Sequence, residues 1–209
     1  MKKLLTSVIY LMVLLISHAT YSQAQSGDIE LGFGIGPSFA SVSDFDGQAN
    51  AGTLTSFNIA ASGEYYFSDR WGIKMKLIYD NKGWSDGFIE DETGFFDTDY
   101  KLGYLTIPVM ANWHFSKNRN WYLNFGGYAG FLLSAKDTTL DTDLKESFSS
   151  TDFGLTAGIG YGFRLNDQMR LFLEYEEQFG FSDIFEFNPG DAISNRRSSF
   201  NLGLLYQLK

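Results

Sequence analysis

Two histidines, no cysteine and a large excess of acids bound the chemistry open to this chain. Without a thiol there is no thiolate nucleophile, no Cys-based metal site and no disulfide. His18 lies in an apolar amino-terminal run, which leaves His114 as the imidazole for acid–base work. It stands one residue before the end of a strand-like segment, where a satisfied or solvent-facing histidine is expected. Carboxylates are the second resource. Asp86, Glu90, Asp91, Glu92, Asp97 and Asp99 crowd the stretch Lys82–Asp99 against Lys82 alone, the kind of cluster that can attract a divalent cation. No calcium-loop spacing runs through them, so a solvated acidic loop is expected there. Asp137, Asp141 and Asp143 carry the same expectation. Gly32-Phe33-Gly34-Ile35-Gly36 imitates a nucleotide fingerprint but opens no helix. The chain is therefore read as non-enzymatic, with no catalytic, cofactor-binding or metal residue; a dyad of carboxylates alone stays open.

What positions these residues is a repeated alternation. From Asp152 to Phe181 two long segments flank Asn166-Asp167-Gln168. Phe153, Leu155, Ala157, Ile159, Tyr161, Phe163 and Leu165 share one face of the first, and Gly154, Thr156, Gly158, Gly160, Gly162 and Arg164 the other. Leu171, Leu173 and Tyr175 alternate with Arg170, Glu174 and Glu176 in the second. A sustained period of two predicts strands. Eight such segments follow one another: Ile29–Ala40, Leu54–Phe67, Trp71–Asn81, Tyr100–Phe115, Trp121–Ala135, Asp152–Leu165, Met169–Phe181 and Arg196–Leu208. Each has the roughly 9–11 residues that a tilted strand needs to cross a bilayer.

Short and long connections alternate strictly. Ser68–Arg70, Ser116–Asn120 and Asn166–Gln168 are short; Ser41–Thr53, Lys82–Asp99, Lys136–Thr151 and Ser182–Asn195 are long and polar. The pattern predicts an all-β fold: an eight-stranded antiparallel up-and-down transmembrane β-barrel of the outer-membrane type. Both termini and the short turns would face the periplasm, and the long loops the exterior. Phe67, Trp71, Trp113, Phe115, Trp121 and Phe163 cluster at the short turns, as an interfacial girdle would. Phe39, Tyr79, Phe131, Phe153 and Phe181 occupy the opposite ends.

The inner face is expected to carry Glu30, Glu64, Lys74, Lys76, Asp80, Lys101, Arg164, Arg170, Glu174, Glu176 and Arg197. An eight-stranded barrel is just wide enough for its side chains to fill, so these charges must pair. Glu64 and Lys74 are equidistant from Asp69 and are expected to face each other, as are Arg164 and Arg170 about Asp167. An ion-paired, plugged lumen follows; a narrow diffusion channel is the alternative. Ile78, Leu132, Phe172 and Leu205 also fall on the inner phase. Glu177 falls on the outer one, which implies a position near the rim or a β-bulge between Tyr175 and Phe179.

Composition agrees with this layout. The 209 residues are 17% aromatic, with 22 Gly and 3 Pro. A mean hydropathy of -0.15 is that of an ordinary soluble protein, but a barrel alternates its apolar residues and needs no long apolar run. The net charge of -9 argues against nucleic acid as a partner. Lys2 and Lys3, the apolar run Leu4–Ile16 and Ser22-Gln23-Ala24 read as a signal peptide over 1–24, with the barrel domain over 25–209. A soluble carrier with an apolar interior is the competing fold. It would leave the inner-face charges simply facing water.

Several stretches carry a resemblance. Tyr104–Phe115 (YLTIPVMANWHF), with Pro108 inside it, resembles the hallmark strand of the PorT-like or "porin family" small outer-membrane β-barrels of Bacteroidota. Asn124–Lys136, Asp152–Phe163, Leu171–Ile184 and the closing FNLGLLYQL are similar to the segments that follow it. The resemblance implies an outer-membrane monomer that meets membrane lipid, lipopolysaccharide, the barrel-assembly machinery and components of a secretion system. The chain departs from such barrels at its end. It closes on Tyr206-Gln207-Leu208-Lys209, where an aromatic residue is usual.

Overall fold

The computed structural model describes residues 24–43, 51–92 and 94–208. The expected signal peptide lies outside the described residues, apart from Ala24. Eight strands follow in chain order: β1 (Ile29–Val42), β2 (Leu54–Tyr66), β3 (Trp71–Asp91), β4 (Gly94–Phe115), β5 (Trp121–Asp137), β6 (Thr151–Arg164), β7 (Met169–Gly180) and β8 (Asn195–Leu208). Each pairs antiparallel with its neighbour, and β8 returns to pair with β1, so the sheet closes. Closure removes the free edges that an open sheet would present.

The pleat sorts the side chains in reverse of a soluble protein. Phe33, Ile35, Ile73, Met75, Leu77, Leu155, Leu173, Leu202 and Leu204 are exposed, while Glu30, Glu64, Lys74, Lys76, Asp80, Glu174, Glu176 and Arg197 are buried. The alternation seen in the sequence is thus a barrel with an apolar outside. Ile78, Leu132, Phe172 and Leu205 are buried in the interior as expected. Two close approaches explain inner-face glycines. A Cβ on Gly160 would stand 2.1 Å from the Tyr122 ring, and one on Gly34 2.7 Å from that of Phe172. Glycine there makes room for a large ring in a narrow tube.

At the end with the short turns an aromatic band runs round the wall. Trp71 stacks on Trp113 at 6.1 Å, Trp113 on Phe115 at 5.1 Å and Phe115 on Trp121 at 6.2 Å. Tyr161 and Phe163 continue it.

The other end departs from expectation in one large respect. Lys82–Asp99 is not a solvated loop. β3 and β4 stay paired from Trp71–Trp113 out to Asp91–Gly94, with a register shift between Trp84 and Gly87. Asp86 takes a positive φ of 55° at that irregularity. The result is a ribbon that outreaches the rest of the sheet, because β2 and β3 are paired only as far as Ile59–Tyr79. A second irregularity lies in the β4–β5 ladder at Gly103–Tyr104. No bulge occurs at Glu177, which pairs in register with Ala157 three residues before β7 ends. Its place near the rim, not a shifted ladder, accounts for a carboxylate on the outer face.

Candidate functional site: a filled lumen under an apolar cap

The interior is a stack of charge clusters. At the turn end the Arg170 guanidinium donates to Glu30, through Nε at 3.0 Å and through Nη2, and Nη2 also donates to the Tyr66 hydroxyl at 3.1 Å. Beside it Glu64 meets His114 Nε2 at 2.8 Å and accepts from Asn112 Nδ2 at 2.7 Å. Tyr66 and Tyr122 flank the imidazole with ring centroids at 5.0 and 5.7 Å. At mid-height Lys76 pairs with both Glu174 and Glu176, and Lys74 reaches Glu174 at 3.5 Å. Arg197 Nε lies 2.7 Å from Asp80, close but not in line for a hydrogen bond, and its Nη1 lies 3.1 Å from Glu176. Higher again, Lys82 donates to Asp152 at 2.7 Å. Charges taken this far from water persist only when so paired.

Several sequence expectations change in detail. Glu64 and Lys74 do face each other across the β2–β3 ladder. They do not form the expected ion pair, because Lys74 turns to Glu174 and the Tyr122 ring, while Glu64 turns to His114. Of the two expectations for His114, the satisfied one holds and the solvent-facing one does not: it is buried, with a carboxylate and an amide as partners. Arg164 and Arg170 oppose each other as expected, and separate carboxylates relieve them, Asp167 for Arg164 at 2.6 Å and Glu30 for Arg170. Lys101 faces outward, since Leu102 and Tyr104 hold the inner phase. Lys82, expected in a loop, is fully buried together with Asp152. The signal for both was present in the phase. Lys82 stands two residues beyond inner-face Asp80, and Asp152 two before inner-face Gly154.

Above Lys82 the barrel is closed by a small hydrophobic core. Trp84, Leu102, Tyr104, Leu132 and Ala135 rise from the strands, and Phe148, Ile184 and Ile193 descend from the two loops on either side of the β6–β7 hairpin. Phe148 stacks on Phe185 at 5.1 Å. A single 3₁₀ turn, Lys145–Ser147, precedes Phe148.

Asp137, expected to be solvated, is buried and organises the β5–β6 loop. Its Oδ1 accepts from the amides of Thr139 (3.0 Å) and Leu140 (2.6 Å), and its Oδ2 from that of Thr142 (2.7 Å). Burial raises its pKa, but these amides outweigh burial and hold the carboxyl below its ordinary value. A depressed carboxylate stabilises the loop above the unfolded pKa, and that contribution is lost as pH falls through the folded one. Protection of the Thr139–Thr142 amides, their exchange relative to that of an unstructured chain at the same pH, should fall below about pH 4. Asp137→Asn should lower that protection at neutral pH and remove its dependence on pH. Unchanged protection in that variant would show that the carboxylate does not hold the loop. Asp141 pairs with exposed Lys136 at 2.8 Å. Among the described residues no three His, Asp or Glu side chains come together as metal ligands.

A closed antiparallel ring with an apolar exterior and an ion-paired interior defines a membrane-spanning β-barrel. Within that class the chain belongs to the outer membrane protein beta-barrel domain family, whose profile matches residues 21–186. No curated protein matches the chain in sequence. Among solved structures, OprG of Pseudomonas aeruginosa is similar at a TM-score of 0.60 and 15% identity, over 90% of this chain and 99% of that one. Neisserial surface protein A is similar at a TM-score of 0.51 and 15% identity, over 84% of this chain and 96% of that one. At this identity the likeness is one of fold: an eight-stranded outer-membrane barrel.

Proposed function

We propose that the protein is a non-enzymatic, non-conducting outer-membrane barrel whose work is done by its loop end. The observation that carries this reading is the filled lumen. Between Lys74, Lys76, Glu174, Asn58 and Asn201 the interior leaves a cavity of about 10 Å³, room for one water at most. The apolar cap then covers the column from above. An ion crossing this barrel would have to break several buried charge pairs in series.

In this reading residues 1–24 direct export, the short turns and both termini face the periplasm, and the long connections face outward. Lipopolysaccharide surrounds the outer half of a monomer. The resemblance of Tyr104–Phe115 to the PorT-like strand bears on location more than on activity; it is the filled lumen that supports a structural, receptor or secretion-associated role over transport. His114 acts as a lumen strut, held by Glu64 and Asn112.

Purified, refolded protein in planar bilayers should give no steady conductance at 1 M salt. Stable single-channel steps would overturn the sealed-barrel reading and establish a narrow channel.

A further inference from the structure

Beyond the cap, β3 and β4 continue as a two-stranded ribbon with an unusual face. Phe88 pairs with Asp97 and Glu90 with Phe95 across the ladder. Cross-strand partners and alternate residues point the same way, so these four side chains share one surface. All four are exposed. Phe88 and Phe95, 44% and 70% exposed, meet edge to face at 6.2 Å. Each ring therefore has a carboxylate directly across the ribbon from it. Between Gly83 and Tyr100 there is no Lys or Arg to neutralise them.

The ribbon's base is fixed. Trp84 is buried in the cap and stacks on Tyr100 at 4.5 Å. The Tyr100 hydroxyl donates to the Phe88 carbonyl at 2.6 Å, and the Asp86 amide to Asp99 at 3.3 Å. At the rim Gly52 bridges to Ser85, and Thr138 Oγ1 accepts from the Asp99 amide at 3.2 Å. A face held this way meets a partner without a large ordering cost.

Charge selects the occupant. A second copy brings the same carboxylates, and an anionic lipid surface repels them. An aromatic ring with a carboxylate beside it suits a planar cation, because a guanidinium stacks on the ring and forks to the carboxylate at once. We propose that this ribbon docks an arginine-rich segment of a soluble polypeptide, with guanidinium groups laid on Phe88 and Phe95 and paired with Asp97 and Glu90. The inference rests on the reading that the loop end is the working surface.

The test uses the full barrel, folded into zwitterionic phosphatidylcholine nanodiscs, and a fluorescent Arg-Gly repeat peptide followed by anisotropy. The Arg peptide should bind, the matching Lys-Gly peptide more weakly, and a citrulline-Gly peptide not at all. Phe88→Ala with Phe95→Ala keeps the charge and should weaken binding about tenfold. Asp141→Asn with Asp143→Asn removes two acids elsewhere on the loop end and should leave binding within about twofold. Folding of every variant is checked by its gel shift on heating. Equal binding of Arg and Lys peptides, unaffected by loss of the rings, would reduce the surface to bulk charge and overturn the proposal. So would ring-dependent binding to anionic vesicles, or ring-dependent self-association in sedimentation. Failure of the peptide with a silent bilayer defeats this inference alone; steady conductance defeats the sealed-barrel reading and leaves the peptide result to be judged separately.

Discussion

Arg197→Met should destabilise the folded barrel by about 3–5 kcal/mol, measured by urea unfolding in lipid vesicles with the heat-dependent gel shift as readout. Arg197 is among the largest fully buried side chains and faces two carboxylates, Asp80 at 2.7 Å and Glu176 at 3.1 Å. Truncation removes the guanidinium that faces Asp80, whose hydrogen-bond donor is the Thr106 hydroxyl, while Glu176 keeps Lys76 and Gln178. The penalty is mostly that of an uncompensated buried anion, so a second change that neutralises it should recover much of the loss. Arg197→Met with Asp80→Asn is therefore expected to be clearly more stable than the sum of the two single changes. Arg164→Met serves as the comparison. Its partner Asp167 is mostly exposed at the turn end, and the loss there should stay below about 1 kcal/mol. Small, additive effects at Arg197 and Asp80 would mean that water fills the mid-barrel, and the sealed lumen would fall with them.

Strand pairing about a short turn is local arithmetic, so Glu64–Lys74 and Arg164–Arg170 were legible as register partners, and both are. Which charge each side chain meets is not local. In a tube this narrow, long side chains cross the lumen, and Lys76 on β3 finds Glu174 and Glu176 on β7. Glu64 turns along the wall to His114 on β4, two strands away from its own, and Lys74 is left for Glu174. No spacing in the sequence encodes those distances.

The ribbon was hidden for a different reason. Phe88-Ile89 and Phe95-Phe96 place apolar residues side by side, and the surrounding acids erase what is left of the alternation. A half-buried strand announces itself because one face meets a different medium from the other. Here one face of the ribbon is exposed and the other, with Ile89 and Phe96, only half-buried, so the two media differ too little to write an alternation. Lys101, expected inward, is out of phase with Leu102, Tyr104 and Thr106, which hold the inner face of β4. The cap was hidden too. Phe148, Ile184 and Ile193 are scattered apolar residues without a period in polar loops, and only the closed ring brings them over one opening.

The cap and the charge column meet at Asp152, and separating them should be nearly as costly as removing Arg197. Its Oδ2 accepts from Lys82 Nζ at 2.7 Å, the Tyr128 hydroxyl at 3.2 Å and Asn195 Nδ2 at 3.2 Å. Its Oδ1 accepts from Ser182 Oγ at 3.0 Å. One carboxylate thus ties β3, β5, β6 and β8 to the second residue after β7, two before Ile184 of the cap. Asp152→Ala strands Lys82 between the Tyr104 and Tyr128 rings, with Nζ 5.2 and 4.3 Å from their centroids. The expected loss is about 3–5 kcal/mol. Its signature should be local as well as global: protease should nick 182–194 faster once Ser182 and Asn195 lose their acceptor. Lys82→Met with Asp152→Asn removes both charges and keeps an acceptor for Ser182. That pair should recover much of the stability and slow the nicking again. Conductance should stay silent throughout, because the Arg197 and Lys76 clusters still fill the tube below. If Asp152→Ala costs under about 1 kcal/mol and the double change adds to it, the loop end is wet and open, and the cap does not seal the barrel.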